Sequence, residues 1–145
     1  MRHLFLLSLA LAAAAPAFAQ VKPGDRTISP RELLADLGLA PEPDDIAEAV
    51  AAAARHPLGS IRNPVRVGGP SGERAYIDRL RCSNGERPKV GERGSAGVGA
   101  FGTIVDVYPL DCGAAAPGRF ELIMDMYHEE HCEEAAPPGF TILPR

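Results

Sequence analysis

The 145-residue chain contains no Trp, three Tyr and five Phe, and only two of its fifteen basic residues are Lys (Lys22 and Lys89). So few rings exclude a core built on large aromatic side chains. The core must rest on aliphatic residues, and a domain of this size buries only about two-thirds of its unfolded surface. Basic charge is also short, with 15 Lys and Arg against 19 Asp and Glu, a net charge of −4. That balance argues against a nucleic-acid partner and an anionic membrane surface. Only one long apolar run exists, at the N-terminus; no later stretch approaches the roughly 20 residues of a membrane helix.

What is present begins with that run. Arg2 and His3 precede residues 4–15, apolar apart from Ser8, and Pro16 leads into Ala17-Phe18-Ala19. A charged start, an apolar middle and a small-x-small end form the pattern of a secretory signal peptide, cleaved between Ala19 and Gln20. Loss of residues 1–19 removes Arg2 and leaves 126 residues with a net charge of −5. That length suits one domain. No Cys lies near the cleavage site to carry a lipid. The expectation is a soluble periplasmic or secreted protein with no membrane insertion after cleavage. In an oxidising compartment two of the three cysteines pair. Cys82 with Cys112 is the expected pair, because each ends a strand-like run (76–82 and 104–112) and neighbouring strand ends bring Cβ atoms close. Cys132 is left over.

Residues 20–28 read as a flexible leader. Ser29-Pro30-Arg31-Glu32 then combines an N-cap Ser, Pro at the first helical position and a capping-box Glu. Leu33, Leu34 and Leu37 form an apolar stripe, and Gly38 terminates it. A second helix is expected over about residues 43–55, with Asp44, Asp45 and Glu48 opposing the positive end of its dipole. The two helices would form a hairpin arm over residues 29–59. From residue 60 onward, short β-rich runs alternate with Gly, Pro and Asn turns. Strands are expected at 65–67, 74–82, 102–110, 119–127 and 140–143, and Gly68-Gly69-Pro70-Ser71-Gly72 reads as a turn. The predicted class is α+β: an N-terminal two-helix hairpin, then a small, mostly antiparallel β-sheet or partial barrel over residues 60–145.

Residues 60–142 resemble an uncharacterised family of small exported proteins of Gram-negative bacteria. The likeness lies in Asn63-Pro64-Val65-Arg66, the run from Arg74 to Cys82, the run from Gly94 to Gly99, Met124-Asp125-Met126-Tyr127-His128 and Pro138-Gly139-Phe140-Thr141-Ile142. The resemblance implies export and one β-rich module. It implies no activity.

The densest chemistry is Tyr127-His128-Glu129-Glu130-His131-Cys132-Glu133-Glu134. Imidazole, thiolate and carboxylate are ligands for zinc or copper, and on a helix His128, His131 and Cys132 would share one face. Asp125 or distant His56 would have to complete the set. The spacing misses the His-Glu-x-x-His pattern of metalloproteases. Otherwise the segment is an exposed loop within an acidic run, residues 120–144, that holds six acids and no Lys or Arg. Gly97-Val98-Gly99-Ala100-Phe101-Gly102 spells a dinucleotide motif but leads into a strand, where no helix N-terminus can meet a pyrophosphate, so it reads as a loop beside the sheet. Asp78, Asp106 and Asp125 lie on expected strands and would pair only if they shared a face. No nucleophile elbow is present, and no catalytic residue is assigned. The reading that results is a non-enzymatic periplasmic binding or interaction module with a protein or small-molecule partner and no cofactor. The alternative is a transition-metal protein holding zinc or copper at His128, His131 and Cys132. A small hydrolase comes third.

Overall fold

Strands β5 (Ile104–Asp111) and β6 (Arg119–Asp125) are the longest elements of the sheet in the computed structural model, which describes residues 30–39 and 43–145. They pair antiparallel from Asp106↔Met124 to Asp111↔Arg119. Directly opposed residues share a face. Asp106, Tyr108 and Leu110 therefore lie on the same side as Met124, Leu122 and Phe120, while Val105, Ile123 and Asp125 point to the other. The outer side of β5 pairs with β3 (Lys89–Val90) and β4 (Gly94–Val98), both antiparallel. The outer side of β6 pairs with β1 (Val65–Arg66), which runs parallel. A separate ribbon joins β2 (Leu80–Arg81) to β7 (Thr141–Ile142). The protein is mixed α+β with a small, antiparallel-rich sheet.

One element departs from the sequence reading. Residues 69–79, expected as a turn followed by a strand, form helix α3 (Gly69–Arg79). Gly68 caps it and Pro70 sits in its first turn, where the missing N–H costs nothing. The reason is a face with helical rather than alternating spacing. Glu73, Tyr76, Ile77 and Leu80 fall at i, i+3, i+4 and i+7, and all four are buried. They meet Tyr108, Leu110, Leu122 and Met124 across the sheet, and Val65, Val67 and Phe140 complete the core. Gly68 lets α3 start close to the loop after β6, since a Cβ there would lie 2.9 Å from Glu129 Cα.

Two helices precede this module, α1 (Pro30–Asp36) and α2 (Pro43–Ala53). Gly38, at φ 67°, ends the first: the Leu39 N–H donates to the Leu34 carbonyl at 2.8 Å, closing the last turn. The leader, the Ser29 cap and the connection at residues 40–42 that would make a hairpin lie outside the described residues, as does the proposed signal peptide. Ala53 of α2 is buried.

Cys82 and Cys112 form the expected disulfide, with Cα atoms 5.8 Å apart. Cys82 reaches it from β2, at the C-terminal end of α3, rather than from the long strand expected. The bridge closes 30 residues of chain and ties the helix end to the end of β5. For a loop of this length, the Cys82→Ala/Cys112→Ala double variant should lose about 3–4 kcal/mol of unfolding free energy. Urea denaturation of the two proteins measures it, and an unchanged midpoint would contradict a structural role for the bridge.

Candidate functional site

Where β5 begins and β6 ends, a polar cluster lies on each face of the sheet. On the helix side, α3 delivers Glu73, β5 delivers Asp106 and Tyr108, and the connection between β3 and β4 delivers Arg93. The Tyr108 hydroxyl donates to Glu73 Oε2 at 2.9 Å. A single nitrogen, Arg93 Nη1, lies 3.3 Å from Asp106 Oδ2 and 3.6 Å from Glu73 Oε2. Glu73 has no exposed surface and its Oε1 is buried with no hydrogen-bond partner, whereas the Arg93 side chain is 46% exposed. The cluster is therefore a buried carboxyl with a cation lying over it at the surface.

Burial governs the electrostatics. Loss of solvation disfavours the charged carboxylate and pushes Glu73 up to about 7; the Tyr108 hydrogen bond opposes this, Asp106 adds to it, and Arg93 opposes it weakly. Tyr108 is pushed up to about 12 by burial and then by Glu73. Asp106 raises Arg93 further above its already high value. Tyr127, just beyond β6, is raised by burial first and then by Asp106 and Asp125. A value near 7 puts both protonation states of Glu73 within reach at neutral pH, which makes it the most chemically poised group of the cluster.

On the opposite face, Asp125 is fully buried and accepts hydrogen bonds from the Thr103 hydroxyl and, at 3.0 Å, from the Tyr127 backbone N–H. His128 Nε2 lies 3.4 Å from Asp125 Oδ2, and the His128 ring meets the Phe101 ring edge to face at 5.2 Å. The Arg66 guanidinium stands over the Phe101 ring, 5.9 Å from its centroid.

The residues singled out in the sequence are thus dispersed. Residues 128–134 leave the sheet as a loop rather than a helix, so His128, His131 and Cys132 have no common face. His128 turns inward to Asp125, His131 lies 3.4 Å from Glu133 Oε2, and Cys132 is free and exposed. Among the described residues no three His, Cys, Asp or Glu side chains are grouped to hold a metal ion. Asp106 and Asp125 occupy opposite faces, because Asp106 stands opposite Met124. Asp78 lies on α3 and pairs with Arg87 at 3.1 Å. The glycine motif spans the β4–β5 turn, with Gly97 and Gly102 at φ 82° and 80°. Gly97 and Val98, the start of the expected loop, belong instead to β4, which pairs with β5. Within the acidic run, Glu134 meets Arg79 at 3.0 Å and Asp125 is buried, so the run is not uniformly a solvated face.

Glu73 itself was missed. It is the partner that Asp106 finds, and the helical spacing of Glu73, Tyr76, Ile77 and Leu80 was the available signal. Compared with known proteins, the chain matches no family model, no curated protein and no solved structure. The functional reading therefore rests on the geometry above.

The raised value of Glu73 fixes a sign. The folded state holds a proton on Glu73 more tightly than the unfolded chain does, so this group's contribution to stability is full below the unfolded value of 4.5 and falls as pH rises through about 7. Relative to Glu73→Gln, the native protein should lose roughly 2–3 kcal/mol of unfolding free energy between about pH 4.5 and about pH 8. Chemical denaturation of both proteins across that range gives the difference directly. Parallel curves would mean that Glu73 is not desolvated.

Proposed function

We propose that the chain is the precursor of an exported, soluble, non-catalytic binding module, and that its ligand engages the cluster of Glu73, Arg93, Asp106 and Tyr108. Export rests on the pattern of residues 1–19. It is supported by the Cys82–Cys112 bridge, which persists in oxidising compartments. No described helix is long and apolar enough to cross a membrane. The observation that carries the binding reading is the Glu73 carboxyl, buried entirely with one oxygen unpartnered. Such an atom costs about 1–3 kcal/mol, and native structures keep few of them. A ligand donor at the mouth of the cluster would satisfy it. Two carboxyls, a guanidinium and a phenol supply donors and acceptors, and among the described residues no serine or cysteine is hydrogen-bonded to them.

Two measurements test this reading. The intact mass of protein recovered from the exported fraction should correspond to residues 20–145; retention of residues 1–19 would remove the export claim. Native mass spectrometry after incubation with a small-molecule extract of the culture should show an adduct. Glu73→Gln and Asp106→Asn should each weaken it at least tenfold without unfolding the protein. No adduct, or one indifferent to both substitutions, would remove the binding site.

A further inference from the structure

Arg93 fits its two acids poorly. A guanidinium paired well with a carboxylate engages two nitrogens at about 2.7–2.9 Å. Arg93 instead spends one nitrogen on both Asp106 and Glu73, at 3.3 and 3.6 Å, and leaves Glu73 Oε1 without a partner. Its backbone is pinned close by: the Gly91 N–H donates to the Pro109 carbonyl at 2.7 Å, and Gly94 pairs with Val107. The half-exposed side chain, however, is held through that single guanidinium nitrogen, and an ion pair of this exposure is weak. Beneath it stay an acceptor pair from two different elements, a phenol that orients Glu73, and a free carboxylate oxygen.

We propose that Glu73 and Asp106 form a receptor for the guanidinium group of an external ligand, and that the Arg93 side chain occupies the mouth of that receptor until the ligand displaces it. This rests on the binding reading above and adds the ligand's chemical class. A free guanidinium is not tethered to the β3–β4 connection, so it can turn its planar fork toward both carboxyls and reach Glu73 Oε1, which Arg93 does not. Arg93 in turn sets one positive charge against the buried Glu73 and the partly exposed Asp106 while the site is empty, which offsets the repulsion between them. The ligand is a small alkylguanidine or an arginine side chain of a peptide; both present the same group.

The test is a titration of the exported protein, labelled with 15N at arginine, with methylguanidinium chloride at constant ionic strength and about pH 8, followed through the Arg93 Nε–H resonance. Displacement should move that resonance toward its position in an unpaired arginine, and Asp106→Asn should weaken the effect at least tenfold. Arg93→Ala removes the internal competitor and should tighten methylguanidinium binding at least tenfold, measured by calorimetry. Methylammonium, a point donor, should bind more weakly than methylguanidinium. A capped Gly-Arg-Gly peptide distinguishes the two sources: binding tighter than methylguanidinium assigns the site to peptide arginine, and weaker binding assigns it to a small guanidine. Binding to Arg93→Ala with no displacement in the native protein would show only that the probe fills a truncation cavity, and would overturn the proposal. Absence of binding to both proteins would overturn it too. An adduct in native mass spectrometry would then keep the binding site while rejecting the guanidinium.

Discussion

The packing of α3 across the β5–β6 face is the constraint on which the remaining arrangement depends. Tyr76, Ile77 and Leu80 bury against Tyr108, Leu110, Leu122 and Met124, and these side chains make up most of the core of a chain with few aromatics. The same face carries Glu73 one turn earlier, so the helix cannot bury its leucine and isoleucine without burying a carboxyl. Tyr108 answers that cost with a hydroxyl, and Arg93 with a charge from outside. The covalent bridge then holds the far end of the helix to the far end of β5. One end of the sheet is therefore stapled, and the other holds the buried acids.

This division explains why the two polar clusters lie where they do. Buried acids are tolerated where donors can reach them, and donors reach the sheet where its strands emerge from loops: Thr103 before β5, Tyr127 and His128 after β6, Arg93 before β4. Asp125 on one face accepts from a hydroxyl and a backbone N–H, and the His128 ring lies 3.4 Å away without a hydrogen bond. Glu73 on the other is met incompletely. In the first cluster the acid itself is satisfied and the unpartnered atom is His128 Nε2, on the loop after β6. The second remains open to an added partner, which is the physical ground for assigning function there.

Legibility in the sequence followed the range of the interaction. Gly38 ends α1 because an adjacent carbonyl needs a left-handed residue there, which is local chemistry. The β5 and β6 runs were legible because a strand's residue pattern is local. Residues 74–82 were misread because Tyr76 and Ile77 favour strands, and because a glutamate within the apolar stripe disguises helical spacing as polar interruption. His128, His131 and Cys132 have the right ligand types, but residue type says nothing of direction. Asp125 and Phe101 draw His128 inward, and the loop turns the other two away.

By itself the sequence determined the number of cysteines available to pair, the acidic balance, the export pattern, the places where strands must turn and the α+β class. Each of these depends on composition or on neighbours within a few residues. Tertiary structure alone decided that Asp106 meets Glu73 rather than Asp125, that Arg93 covers them both, and that one carboxylate oxygen is left free. Those facts depend on the register of β5 against β6 and on how α3 lies across them. Register is set by the summed fit of all the facing side chains, and no short segment of the chain contains that sum.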